Sequence, residues 1–189
     1  EQATSAHPRL EANVRLELAD AWWWLGNREA ALEFLSVIDS DSLQRSTART
    51  IWARRYLLSR MEAGDELLLD YLSGRPHSEP STNMLMSLAI ARPTDPISLY
   101  LFAFRLQQRG AKTRAAELLE SVGSPFGFPP LLIREAAYRA AKFRVLGFYF
   151  DEAKQNLELA AAFEPVAGYA LAIQKWERFI TFLEDIKRN

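Results

Sequence analysis

Histidine is the side chain that most readily moves protons or holds metals near neutral pH, and this chain of 189 residues has only two, His7 and His77. They lie far apart, each beside a proline, so neither a metal-binding pair nor a histidine-based relay is expected. The chain has no cysteine, which excludes disulfides, thiolate chemistry and cysteine-based zinc sites. No H-E-x-x-H or G-x-S-x-G pattern occurs, and the eight glycines stand singly at turns rather than forming a loop that could cradle phosphate. Carboxylates read as isolated members of solvated helix faces, as in Glu29/Glu33 and Glu117/Glu120, and no pair stands out for acid–base work. The expectation is a non-enzyme with no cofactor and no metal.

Charge offers a second kind of chemistry. The net charge of −1 supplies no global field for nucleic acid or an acidic membrane surface. Locally, five arginines and no acid fall between Arg45 and Arg60, whereas the first forty residues carry three arginines against seven carboxylates. At about 100° per residue only Arg45, Arg49 and Arg60 share a helix face, while Arg54 and Arg55 diverge. With Trp52, Tyr56 and Leu57 as the buried side, the arginines read as an ordinary solvated face. An acidic peptide is a second reading and nucleic acid a third.

The elements that must position these residues are helical throughout. Ala, Leu, Glu and Arg dominate, and no run alternates as a half-buried strand does. Punctuation predicts ten helices, at about 8–25, 28–38, 43–63, 66–73, 81–91, 97–109, 113–122, 131–146, 151–163 and 165–187. Gly26-Asn27, Gly64-Asp65, Gly110 and Gly147 supply turns, and residues 39–42 a turn with several N-cap candidates. The 123–130 stretch, with two glycines and three prolines, is the clearest loop. Apolar residues make up 49% and charged residues 25%, the balance of a folded chain, and no run reaches the length a membrane span needs. The chain opens at Glu1 rather than methionine, which reads as a processed form or a piece of a larger protein.

Three segments align. One is Leu18-Ala19-Asp20-Ala21-Trp22, Leu25-Gly26-Asn27 and Glu29-Ala30-Ala31-Leu32-Glu33-Phe34-Leu35. The second is Phe102-Ala103-Phe104, Gln108-Arg109-Gly110 and Arg114-Ala115-Ala116-Glu117-Leu118-Leu119. The third is Ala140-Ala141-Lys142-Phe143, Leu146-Gly147 and Asp151-Glu152-Ala153, with Leu157, Ala160 and Pro165. This pattern resembles a degenerate tetratricopeptide repeat. The resemblance implies an all-α fold of antiparallel hairpins, at 8–38, 43–73, 97–122 and 131–163, stacked as a right-handed α-solenoid in a single domain over 1–189. Ala19 should face Ala31, Ala103 face Ala115, and Ala140 or Ala141 face Ala153, with Trp22, Leu35, Leu119 and Leu157 filling the space alongside. Departures from the pattern are an extra residue before Ala153, Arg60 where an apolar residue belongs, Leu69 where alanine belongs, and a helix at 81–91 without a hairpin partner. A non-repeating helical bundle is the competing architecture.

A stack needs a terminal cap, and Tyr169, Ile173, Trp176, Ile180 and Leu183 make one apolar stripe on the last helix. Phe179, Phe182 and Ile186 widen that stripe. Core packing accounts for them, or else a homodimer contact or the docking of a neighbouring domain.

In the resembling family, first helices of hairpins line a concave face. Carried over, those positions are Asn13, Leu16, Asp20, Trp23 and Trp24, then Ile97, Tyr100, Phe104, Gln107 and Gln108, then Tyr138 and Lys142. Trp22, Trp23 and Trp24 fan over about 200°, so Trp22 goes to the core and one of the others to a surface. Packing of these aromatics between neighbouring hairpins is one reading; on the other, the expected partner-binding residues are Asp20, Trp23, Tyr100, Phe104, Gln107 and Tyr138, with Lys142 as the charged member, and the partner is a protein or peptide. One alternative is a sensory domain whose groove takes a small ligand beneath the 124–130 loop. Another is a segment of a longer scaffold, which an exposed apolar first helix would favour.

Overall fold

A computed structural model describes residues 8–39, 43, 45–122, 130–163 and 167–188, with the side chains at 8, 9, 45, 46 and 167–169 outside it. His7, most of the 39–42 turn, the side chains of Arg45 and Tyr169, Pro165 and the 123–129 loop therefore lie outside the described residues. Among the described residues every regular element is a helix and none is a strand. They are α1 (Pro8–Trp24), α2 (Arg28–Ser36), α3 (Arg45–Arg60), α4 (Asp65–Leu72), α5 (Thr82–Ala91), α6 (Pro96–Gln108), α7 (Lys112–Val122), α8 (Pro130–Leu146), α9 (Phe150–Ala161) and α10 (Ala167–Arg188). The chain divides into two compact units, Glu1–Pro80 and Ser81–Asn189.

In the first unit α1 packs on α2, α2 on α3 and α3 on α4. Gly26 turns the first pair with a φ of +79°, a conformation costly for a residue with a Cβ. Asn27 then caps α2, its side chain accepting from the Ala30 amide at 3.0 Å. The third helix stops at Arg60, short of the expected residue 63. Met61 takes the left-handed conformation, and the Asp65 carboxylate accepts from the Glu62 amide at 2.8 Å and from Arg60 at 2.6 Å. Ile51, Leu57, Leu58, Leu68 and Leu69 are buried between the helices.

In the second unit each helix packs on the next, and α10 lies against both α9 and α8. The helix at 81–91, expected to lack a partner, packs on α6. Ser81 caps α5, and Asp95 caps α6 by accepting from the Ile97 and Ser98 amides at 3.3 Å each. Pro96 follows at the first helical position, where its missing N–H costs nothing. The core at the C-terminal end joins Ala137, Ala141 and Val145 of α8, Phe150, Ala153 and Leu157 of α9, and Ile173 and Ile180 of α10.

One register runs through four hairpins. Each turn holds a left-handed residue, Gly26, Gly64, Gly110 or Phe148, that of α3–α4 holding a second, Met61, directly after α3. Seven residues before the first four stand Ala19, Leu57, Ala103 and Ala141; five residues after them stand Ala31, Leu69, Ala115 and Ala153; all eight are buried. The extra residue before Ala153 disappears in this frame, because Phe148 rather than Gly147 takes the positive φ of +63°. Ala141, not Ala140, is then the counterpart of Ala19. At Gly147 an added Cβ would lie 2.8 Å from the Tyr149 ring, so glycine is favoured there by space rather than by backbone conformation.

Candidate functional site

Three arginines of α3, Arg54, Arg55 and Arg60, are structural rather than solvated. Arg54 is only 5% exposed and pairs with Asp20 through Nε–Oδ1 at 2.8 Å and Nη2–Oδ2 at 3.0 Å, and it also donates to the Leu72 carbonyl. Burial pushes the Asp20 carboxyl up to about 6, further than the neighbouring guanidinium draws it down. Burial likewise lowers Arg54 from its ordinary value. Arg55 donates to the carbonyls of Leu35 and Ile38, adding to the backbone amide bond that Leu35 accepts at the end of α2. Arg60 lies over the Tyr56 ring at 4.7 Å while pairing with Asp65. These three arginines therefore hold carbonyl ends and acids in place. The reason is geometric: long guanidinium stems reach acceptors on neighbouring helices that no helical wheel contains.

Trp22, expected in the core, is 36% exposed, because Trp23, four residues after buried Ala19, shares that residue's face instead. Trp23 Nε1 donates to Asp70 Oδ1 at 2.9 Å and Trp24 Nε1 to Ser73 Oγ at 2.9 Å, tying α1 to α4 and its end. The two indoles, Arg28, Glu66, Asp70 and Arg75 border a recess of about 380 Å³. Of the other positions expected on this helix, Asn13 is exposed and Leu16 half-buried. Leu10, Val14, Leu18 and Trp22, at four-residue steps, leave an apolar stripe of α1 in solvent, continued by Leu25.

In the second unit two sets of ring contacts involve the expected residues. Tyr100 lies under the Arg139 guanidinium, 5.6 Å from its ring centre, and Arg139 Nε donates to Glu135 at 2.7 Å. One helical step away, the Tyr138 hydroxyl accepts from Trp176 Nε1 of α10 at 3.1 Å. The Lys142 ammonium sits 5.8 Å from the ring centres of both Tyr138 and Trp176. Among the described residues no carboxylate comes within ion-pair distance of that ammonium. Phe104 and Gln107 are half-buried along α6, with Gln107 Oε1 enclosed and accepting no hydrogen bond from the described residues. Gln108 is exposed, whereas Ile97, expected on the surface, is buried at the start of α6. Relative to the left-handed residues, Tyr100 and Tyr138 are equivalent, and so are Asp20, Phe104 and Lys142.

Arg139 and Trp176 belong to this surface and were not expected in it. Arg139 adjoins Tyr138 and could have been noticed as a cation on the same turn. Trp176 was assigned to a capping stripe, and its indole does pack against the core while its N–H reaches Tyr138. Glu120, read as a solvated acid, instead joins three helices, accepting from Arg144 of α8 at 2.6 and 2.8 Å and from Asn156 of α9 at 2.8 Å. Among the described residues no cluster of histidine and carboxylates suits a metal ion, and no helix is long and apolar enough to cross a membrane. No family model, no curated protein and no solved structure matches this chain.

Proposed function

We propose that the chain is a non-catalytic protein-interaction module of tetratricopeptide-like hairpins that holds a carboxylate-bearing peptide against α6, α8 and α10. One observation carries this reading: the Lys142 ammonium, positioned by two aromatic rings and lacking a described carboxylate, beside the Tyr100–Arg139 pair. A cation over aromatic faces is restrained without being neutralised, which suits it to a partner's carboxylate. Phe104 and Gln107 extend the surface along α6 and supply an apolar contact and an amide. The register shared by four hairpins supports the repeat architecture on which a lining by first helices depends. Asp20 and Trp23 are already engaged by Arg54 and Asp70, so the reading rests on the second-unit residues.

The experiment is an affinity capture from source lysate with wild type, Lys142→Glu, Lys142→Arg and Tyr100→Ala, each checked for helicity by circular dichroism. A protein captured by wild type and Lys142→Arg, and lost with the folded Lys142→Glu and Tyr100→Ala variants, is the expected result. Capture that survives both disruptive variants means the surface is misassigned. A second reading, a segment of a longer scaffold, is favoured by the apolar stripe of α1, which such a scaffold would cover. Capture lost with Leu18→Glu and untouched by Lys142→Glu would select it.

A further inference from the structure

The last helix has two apolar faces, and the described residues cover one of them. Ile173, Trp176, Ile180 and Leu183 pack into the core with α8 and α9, and Glu184 pairs with Lys154 at 2.7 Å. Centred about 110° around the helix from that face, Phe179, Phe182 and Ile186 remain 43%, 58% and 57% exposed. Aromatic area left in water at this density marks a contact surface rather than scattered exposure.

We infer that this face of α10 pairs antiparallel with the same face of a second copy of the chain. Lys175, Phe179, Phe182 and Ile186 are spaced four, three and four residues apart, the rhythm that keeps one seam along a helix. An antiparallel two-fold centred between Ile180 and Thr181 on this rhythm sets Phe179 against the partner's Phe182 and the Lys175 stem against the partner's Ile186. Each contact occurs twice. Lysine suits the ends of the seam, because its stem packs while its ammonium reaches water.

Charge selects the direction. Arg178 and Asp185 each precede a seam residue and are seven residues apart, so both lie on the same flank. Both are exposed. In antiparallel pairing this flank meets itself, bringing Arg178 of each copy to Asp185 of the other; a surface carboxylate can accept from this cation beside any other. In parallel pairing the flank instead meets the side carrying Trp176 and Leu183, which is buried in the core. The roughly 110° between the two faces lets the bodies of the two copies diverge. Among the described residues Phe179 touches the Tyr138–Lys142 side only through an edge contact with Trp176, 5.7 Å between ring centres, so Phe182→Glu tests the association apart from the peptide reading.

The test is sedimentation equilibrium of the whole chain from about 10 µM to about 1 mM, since a seam of some three turns supports a dissociation constant of about 100 µM. Wild type should move from one to two chain masses. Phe182→Glu, an exposed position whose helicity circular dichroism would confirm, should weaken the dimer more than about 100-fold. Arg178→Asp and Asp185→Arg should each weaken it about tenfold, by turning both ion pairs into like-charge contacts. The double variant Arg178→Asp/Asp185→Arg should restore it. A single chain mass for wild type at all concentrations overturns the inference, as does a dimer indifferent to Phe182→Glu. Failure of the double variant to recover overturns the antiparallel register.

Discussion

Glu120 is the carboxylate on which the packing of α7, α8 and α9 can be tested. Its Oε1 accepts from Arg144 Nε and Asn156 Nδ2, both at 2.8 Å, and its Oε2 from Arg144 Nη2 at 2.6 Å. The Arg144 and Glu120 side chains are 13% and 28% exposed, and Asn156 is buried. Glu120→Ala removes a two-bond charged pair, about 1.5–3 kcal/mol in a partly buried setting, and strands the Asn156 amide, about 1 kcal/mol. Water reaching the partly open carboxylate site lowers the sum, so the expected loss is about 3 kcal/mol. With a urea slope of about 2 kcal/mol/M, the transition midpoint should fall by about 1.5 M. Glu120→Gln keeps one carbonyl acceptor and should lose about half as much. The assay is urea unfolding followed by circular dichroism, with Arg144→Ala and the double variant closing a cycle whose coupling should exceed about 1 kcal/mol. A loss below about 0.5 kcal/mol for Glu120→Ala, or zero coupling to Arg144, would refute the claim that this carboxylate joins three helices.

Two further outcomes follow from the first unit. The Asp20 carboxyl, raised from 3.8 to about 6 by burial, binds its proton more tightly in the folded chain, so its stabilising contribution is full below about 3.8 and is lost as pH rises through about 6. The melting temperature of wild type relative to Asp20→Asn should therefore be higher at pH 4.5 than at pH 7.5, and a difference independent of pH would show that Asp20 is not held this way. Arg55→Lys replaces a planar fork with a point charge that cannot serve both the Leu35 and Ile38 carbonyls. Amide exchange at the end of α2 should quicken about fivefold, matching a local loss of about 1 kcal/mol, while unchanged exchange would mean that water already satisfies those acceptors.

Much of this architecture was legible before any coordinates. Helix positions follow from local signals, because glycine, asparagine and proline end or start helices by backbone conformation and a missing donor, both properties of a few adjacent residues. The buried alanines were legible too, since only small side chains let two helices approach closely. Boundaries slipped where a side chain from further along the chain intervened, as Asp65 does in ending α3 at Arg60.

The candidate site was legible in part. Tyr100, Tyr138 and Lys142 were named from the repeat resemblance, which assigns positions by spacing along a helix. The fates of Asp20, Arg54, Arg55 and Glu120 were not legible, because a charged group's role depends on which acceptor or donor lies within about 3 Å across a helix interface. Local conformational preference, a property of adjacent residues, set the helices, their turns and the small residues at their contacts. Only the tertiary structure decided which arginines became internal struts, which tryptophan turned inward and which cation was left over two rings without a described counter-charge. Those outcomes depend on distances between residues tens of positions apart, which spacing along the chain does not contain.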